Sequence, residues 1–182
     1  MPDGEWITYN TSGNTIEVIT YKTVFGANGL NNYYRYGLYE KYYDSGKLQE
    51  RGNYEQNQYD GEWRFYYDNA SNSLEIKGMY EKGMCIDEWE EWYDNGVLKS
   101  KGNYVVINEN GIDQWVKNGE WNFYYSDASL KYMATYTNDK LNGPCKERVF
   151  EGYWLGQYTN GSRSGTWNLY DLNGTFLKSE TY

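Results

Sequence analysis

The chain has 182 residues, with 23 Tyr, 8 Trp, 5 Phe, 20 Gly, 2 Pro, 2 Cys and no His, and a formal charge of −9 from 17 Lys+Arg against 26 Asp+Glu. Without imidazole there is no Ser-His-Asp or Cys-His activation of a nucleophile and no histidine metal site, and two thiols are too few for a tetrathiolate zinc cluster. The composition points away from an enzyme, a cofactor or a metal, and the acidic balance points away from nucleic acid and anionic membranes, which are bound by Lys and Arg set against phosphate.

Aromatics make up 20% of the chain, too many for a disordered segment. No run of about 18 apolar residues offers a membrane-spanning helix. The start, MPDGEWITYN, lacks the basic and apolar stretches of an export signal, so a cytoplasmic location is expected.

A repeated unit dominates the sequence. It begins at Gly4 as GEWITY, at Gly37 as GLYEKYY, at Gly61 as GEWRFYY, at Asp87 as DEWEEWY, at Gly119 as GEWNFYY and at Gly165 as GTWNLY. A degenerate copy, GPCKERVFEGYWLGQYTNG, begins at Gly143. In most copies a polar turn follows, then an apolar residue and a Tyr six positions on: Leu48 and Tyr54, Leu74 and Tyr80, Leu98 and Tyr104, Leu130 and Tyr136, Phe176 and Tyr182. The period is about 24 residues, the signature of an array of small supersecondary units.

Each unit reads as a β-hairpin, because aromatic runs on either side of Asp-Ser-Gly or Asp-Asn-Gly signal two strands and a tight turn. With Asn95 and Gly96 as the two turn residues, Tyr93 faces Leu98, Glu91 faces Ser100 and Trp89 faces Gly102. The same register sets Lys41 against Glu50, Tyr39 against Gly52, Phe65 against Ile76 and Phe123 against Tyr132, pairs of matching chemistry. A Trp opposite a Gly suits an indole lying over bare backbone. Parity places Trp63, Phe65, Tyr67 and Leu74 on one face and Tyr66 on the other, which predicts a thin sheet with aromatics on both faces.

Two segments break the period, 22–36 and 105–118. They read either as longer hairpin strands and loops or as projections that touch a partner, with Trp115 as anchor and Asp113 as charge. The run Asp87, Glu88, Trp89, Glu90, Glu91, Trp92 reads either as a solvated strand face with Trp89 structural, or as an acidic patch for Lys or Arg of a partner with Trp92 as its hot spot. Alternate strand residues point to opposite faces and no EF-hand spacing is present, so a cation site is not expected there. Cys145 takes the slot that Trp fills in other units, as a small buried filler, and a bridge to Cys85 is not expected in a cytoplasmic chain. Trp154 and Arg148 serve either packing or binding.

The pattern G-x-W-x-x-Y-Y-x-x-G-x-L-x-x-x-G-x-Y, carried by GEWRFYY with Leu74 and Tyr80 and by DEWEEWYDNGVLKSKGNY (87–104), resembles the bacterial MORN-repeat variant and the YwqK-like antitoxin and immunity proteins built from it. The likeness extends over nearly the whole chain and is strongest over 37–136 and 165–182. It implies one all-β domain over 1–182, an elongated, twisted antiparallel array of about seven hairpins, and no catalysis. In the antitoxin branch it implies neutralisation of a cognate toxin, often a nuclease or deaminase. It supplies no partner-contacting motif.

Two function classes follow. The first is an acidic, non-enzymatic immunity protein that occludes the active or nucleic-acid-binding surface of a basic toxin. The second is a MORN-type scaffold or membrane-associated adaptor, although no basic cluster or lipidation motif accompanies it. A carbohydrate-binding surface of exposed Tyr and Trp is a third. The last strand ends at Tyr182, where an edge offers a pairing surface to another copy, and the oligomeric state stays open.

Overall fold

The computed structural model describes residues 3–26 and 29–182; Ala27 and Asn28, inside the 22–36 insertion, lie outside the described residues. The fold is all-β. Its strands are β1 (Gly4–Tyr9), β2 (Thr15–Phe25), β3 (Asn31–Tyr42), β4 (Leu48–Glu55), β5 (Gln58–Tyr66), β6 (Leu74–Glu81), β7 (Met84–Trp92), β8 (Leu98–Glu109), β9 (Ile112–Tyr124), β10 (Leu130–Thr137), β11 (Lys140–Arg148), β12 (Gly152–Thr159), β13 (Ser162–Asp171) and β14 (Phe176–Thr181). Hydrogen-bonded neighbours follow chain order from β1 to β14, and no helix occurs among the described residues. The chain divides into two compact units, Met1–Ile86 with Asp94–Gly96, and Asp87–Tyr93 with Val97–Tyr182.

The turns explain the register. In the second repeat Tyr43 N–H donates to the Lys47 carbonyl at 2.9 Å and Gly46 N–H to the Tyr43 carbonyl at 2.8 Å, with Gly46 at φ +81°. Tyr93 and Val97 repeat the first bond at 2.8 Å and Gly96 the positive φ, at +80°. The loop therefore has three residues, with glycine supplying the left-handed position, where the sequence suggested two. The extra residue is absorbed by a bulge between Glu91 and Trp92. Leu98 consequently pairs with Trp92 rather than Tyr93, while Glu91 opposite Ser100 and Trp89 opposite Gly102 stand as expected. Lys41 with Glu50, Tyr39 with Gly52, Phe65 with Ile76 and Phe123 with Tyr132 are also partners.

The aromatic side chains are not shared evenly between faces. In the first unit Ile19, Tyr39, Tyr54 and Trp63 are buried together, with Tyr21, Tyr59, Phe65 and Tyr80 packed against them. Ion pairs link Glu40 to Arg51 at 3.4 Å, Glu62 to Arg64 at 2.6 Å and Glu62 to Lys77 at 3.7 Å. Strand alternation puts these on the face opposite Tyr39 and Trp63, so one face is an aromatic core and the other a charged ladder.

The tryptophans lie on glycine, but on a different glycine from the one hairpin pairing suggests. A Cβ at Gly102 would sit 2.2 Å from the ring of Trp121, on the following strand, and not against its register partner Trp89. Gly52 under Trp63 and Gly156 under Trp167 show the same 2.2 Å approach. The cause is a register shift at each of these glycines, between Arg51 and Asn53, Lys101 and Asn103, and Leu155 and Gln157, which interrupts the ladder where the ring lies down. Each indole N–H then donates to the next carbonyl: Asn53 at 2.9 Å, Asn103 at 3.1 Å, Gln157 at 3.2 Å. Trp63, Trp121 and Trp167 are the largest fully buried side chains of the described residues.

Candidate protein-interaction surface

Over the fourth repeat, β7 carries the acidic run and β8 answers it with lysines. Lys101 stands opposite Glu90 and its Nζ lies 2.8 Å from Glu88 and 2.9 Å from Glu90. Hydrogen bonds to Glu88 and Glu90 hold its amine above the ordinary lysine range. Lys99 reaches Glu91 at 3.2 Å, and the Trp89 indole N–H donates to Glu91 Oε1 at 3.3 Å. The run is thus a charge-paired strand face more than a bare negative patch, and such exposed pairs contribute only up to about 1 kcal/mol each. Trp89 is buried against the edge of Tyr104, with ring centroids 5.6 Å apart, and Trp92 is half-buried opposite Leu98. Asp87 is exposed and adopts φ +52°, in the slot that Gly37, Gly61, Gly119 and Gly165 fill with positive φ in other repeats.

The 105–118 segment prolongs the β8–β9 ladder without a break from Val105 opposite Val116 to Glu109 opposite Ile112. Asn110 at φ +55° and Gly111 at φ +81° close it, the left-handed pair that a tight Asn-Gly hairpin turn needs. Near this tip Val106 stands opposite Trp115, both exposed, and Ile112 is 63% exposed. Trp115 is 47% exposed yet held from below by the edge of Tyr104 at 5.1 Å. Asp113 accepts a 2.6 Å hydrogen bond from Asn108 Nδ2 across the tip.

Tyr104 therefore ties Trp89 and Trp115 to one face, whereas Glu88 and Glu90 lie on the other with Lys101. The residues singled out in the sequence divide into an apolar anchor on a stiff hairpin and a carboxylate ladder behind it. Trp154 and Arg148, left open by the sequence, serve packing. Trp154 is buried in the cluster of Trp167 and Leu169, and Arg148 Nη1 closes the β11–β12 turn on the carbonyls of Val149 at 2.8 Å and Gly152 at 2.7 Å.

The other long hairpin exposes apolar side chains that the sequence did not single out one by one. Thr23 opposite Tyr33 and Phe25 opposite Asn31 carry the β2–β3 ladder outward, and Val24, Phe25, Leu30 and Tyr33 are exposed there, Phe25 at 80%. The apolar Val24 and Phe25, with Leu30 close after them in the sequence, were the available signal. Among the described residues no group of three or more Cys, Asp or Glu side chains is placed to hold a metal.

Three segments of the chain, residues 2–23, 35–56 and 88–105, match the family model of the MORN repeat variant. They fall on the first, second and fourth hairpins, and they support a MORN-repeat protein, a kind of fold that serves as a scaffold. Among curated proteins no relative matches the chain.

Proposed function

We propose that the protein is a non-enzymatic, protein-binding repeat scaffold that acts as a bacterial, cytoplasmic immunity protein. It engages a cognate basic toxin, of the nuclease or deaminase kind, and covers the surface that toxin uses on nucleic acid. The observation that carries the reading is the exposed Trp115–Val106 pair near the tip, on a continuous ladder with Trp115 held by Tyr104, in a chain of charge −9. A rigid, exposed aromatic side chain is the kind of anchor on which protein interfaces concentrate their energy. The matches to the MORN repeat variant are compatible with the broader alternative as well, a MORN-type scaffold or membrane-associated adaptor for protein assembly.

Co-expression with the product of the adjacent reading frame separates the two. The immunity reading expects that product to be toxic alone, harmless with this chain, and co-purified with it. A harmless neighbour, or a toxic one that does not co-purify, leaves the scaffold reading. With a partner in hand, Trp115→Ala should weaken binding by about 2 kcal/mol or more, the scale of a hot spot. Reversing charge at Glu88, Glu90 and Glu91 should slow association and flatten its salt dependence. An on-rate unchanged across salt removes the carboxylate ladder from the interface.

A further inference from the structure

The repeat at Gly143 lacks both members of the tryptophan-on-glycine pair. Cys145 stands where Trp63, Trp121 and Trp167 stand in their repeats, and Ala134 stands where Gly52, Gly102 and Gly156 do. Both are buried, and they are direct register partners. The side chains that enclose Trp63 keep their slots around Cys145. Tyr54, whose ring meets Trp63 edge-on at 5.2 Å, corresponds to Tyr136, and Tyr59, stacked on Trp63 at 3.6 Å, corresponds to Leu141. Phe65 and Tyr80 correspond to Glu147 and Tyr158.

A thiol in place of the indole, with Leu141 and Glu147 in place of two aromatic walls, leaves space. A cavity of about 350 Å3 is lined by Ala134, Cys145, Tyr136, Leu141, Glu147 and Tyr158. That volume lies at the small end of ligand sites, room for one ring system rather than a cofactor. The walls are braced against collapse. Tyr132, also at the cavity, stacks on Phe123 at 4.2 Å, Tyr158 donates to Glu147 at 2.6 Å, and Glu147 is paired with Arg163. The Cys145 thiol, its pKa pushed up to about 12 by burial and then by Glu147, stays neutral, and the charged groups at the cavity are Glu147, Lys131 and Arg148.

We propose that this cavity is a binding site for one flat aromatic ring system of indole size, the occupant that the same slot receives from the chain itself in other repeats. The ring enters from the solvent side and lies over Ala134 and Cys145, between Tyr136, Leu141 and Tyr158. This site is independent of the toxin reading, because it is tested with small probes alone, and its failure would leave that reading untouched.

The test uses ligand-observed NMR and calorimetry on the full chain with two probes, indole and N-acetyl-L-tryptophanamide. Indole should bind saturably with a Kd on the order of 1 mM, as a ligand of so few atoms would. Binding of indole alone assigns the site to a free small aromatic. Binding of both probes assigns it to a side chain presented by a partner protein. The variant Ala134→Gly/Cys145→Trp, which restores the pair found in the other repeats, should keep the β-sheet circular dichroism and weaken either probe at least tenfold. Should it not fold, Cys145→Met, which fills part of the cavity with a flexible chain, should weaken binding in the same direction. Absence of saturable binding by both probes, or binding of unchanged affinity in the filled variant, overturns the proposal.

Discussion

The strands around Trp63 and those around Cys145 use one set of slots in two ways. At β4–β5 a full indole lies on bare backbone with Tyr59 stacked on it, and Trp63 is fully buried. At β10–β11 a methyl and a thiol face each other in register, and the same wall positions surround a cavity. The repeat therefore does not need every tryptophan to form its hairpin. The turn and the ladder define the hairpin, and the tryptophan–glycine pair seals it to its neighbour.

That contrast makes predictions of graded size. Trp63→Ala, Trp121→Ala and Trp167→Ala should each cost about 3–5 kcal/mol in denaturant unfolding, the scale for deleting a large buried aromatic. Gly52→Ala and Gly102→Ala should cost about 1–3 kcal/mol by overpacking, since the new Cβ would meet a ring at 2.2 Å. Ala134→Gly, the reverse change in the open repeat, should cost only about 0.5–1 kcal/mol, from backbone entropy. Equal losses for Gly52→Ala and Ala134→Gly would erase the difference between the two regions.

The smallest effect is a pH slope. The folded thiol of Cys145 has a pKa raised from 9.0 to about 12, so an unfolded chain releases this proton first. Its contribution to stability is complete below the unfolded thiol value and is lost as pH rises from there toward 12. Unfolding free energy should fall on the alkaline side of about pH 9, and Cys145→Ala should flatten that fall. In the folded protein at pH 8, iodoacetamide should label Cys145 far more slowly than in denaturant.

Periodicity made the hairpins legible, since aromatic slots recur with the strand, and mid-strand pairs such as Glu91 with Ser100 follow from turn position. At the turn, the spacing suggests two loop residues where the structure has three, ending at Gly96, and the bulge beside Trp92 hides that difference from simple counting. The sequence of one unit shows only pairing within its hairpin, which sets Trp89 against Gly102. Trp121 reaches that glycine through a ladder between hairpins, interrupted at the glycine itself. At the candidate surface, Trp115 stood out because it breaks the period. The neutralisation of Glu88, Glu90 and Glu91 by Lys101 and Lys99 depends on side-chain reach across β8 and was not foreseen. Cys145 is legible in the sequence as a small residue in a tryptophan slot, but a cavity is a property of the surrounding walls and has no sequence signature of its own.

The central distinction, between aromatics that hold the repeats together and aromatics left for recognition, is tested most directly on one strand. Trp121 and Trp115 both lie on β9, one fully buried over Gly102 and the other exposed near the tip. Thermal and denaturant unfolding of Trp121→Ala and Trp115→Ala should show a loss of about 3–5 kcal/mol for the first and under about 1 kcal/mol for the second. A Trp115→Ala variant as unstable as Trp121→Ala would make Trp115 part of the core and contradict the account.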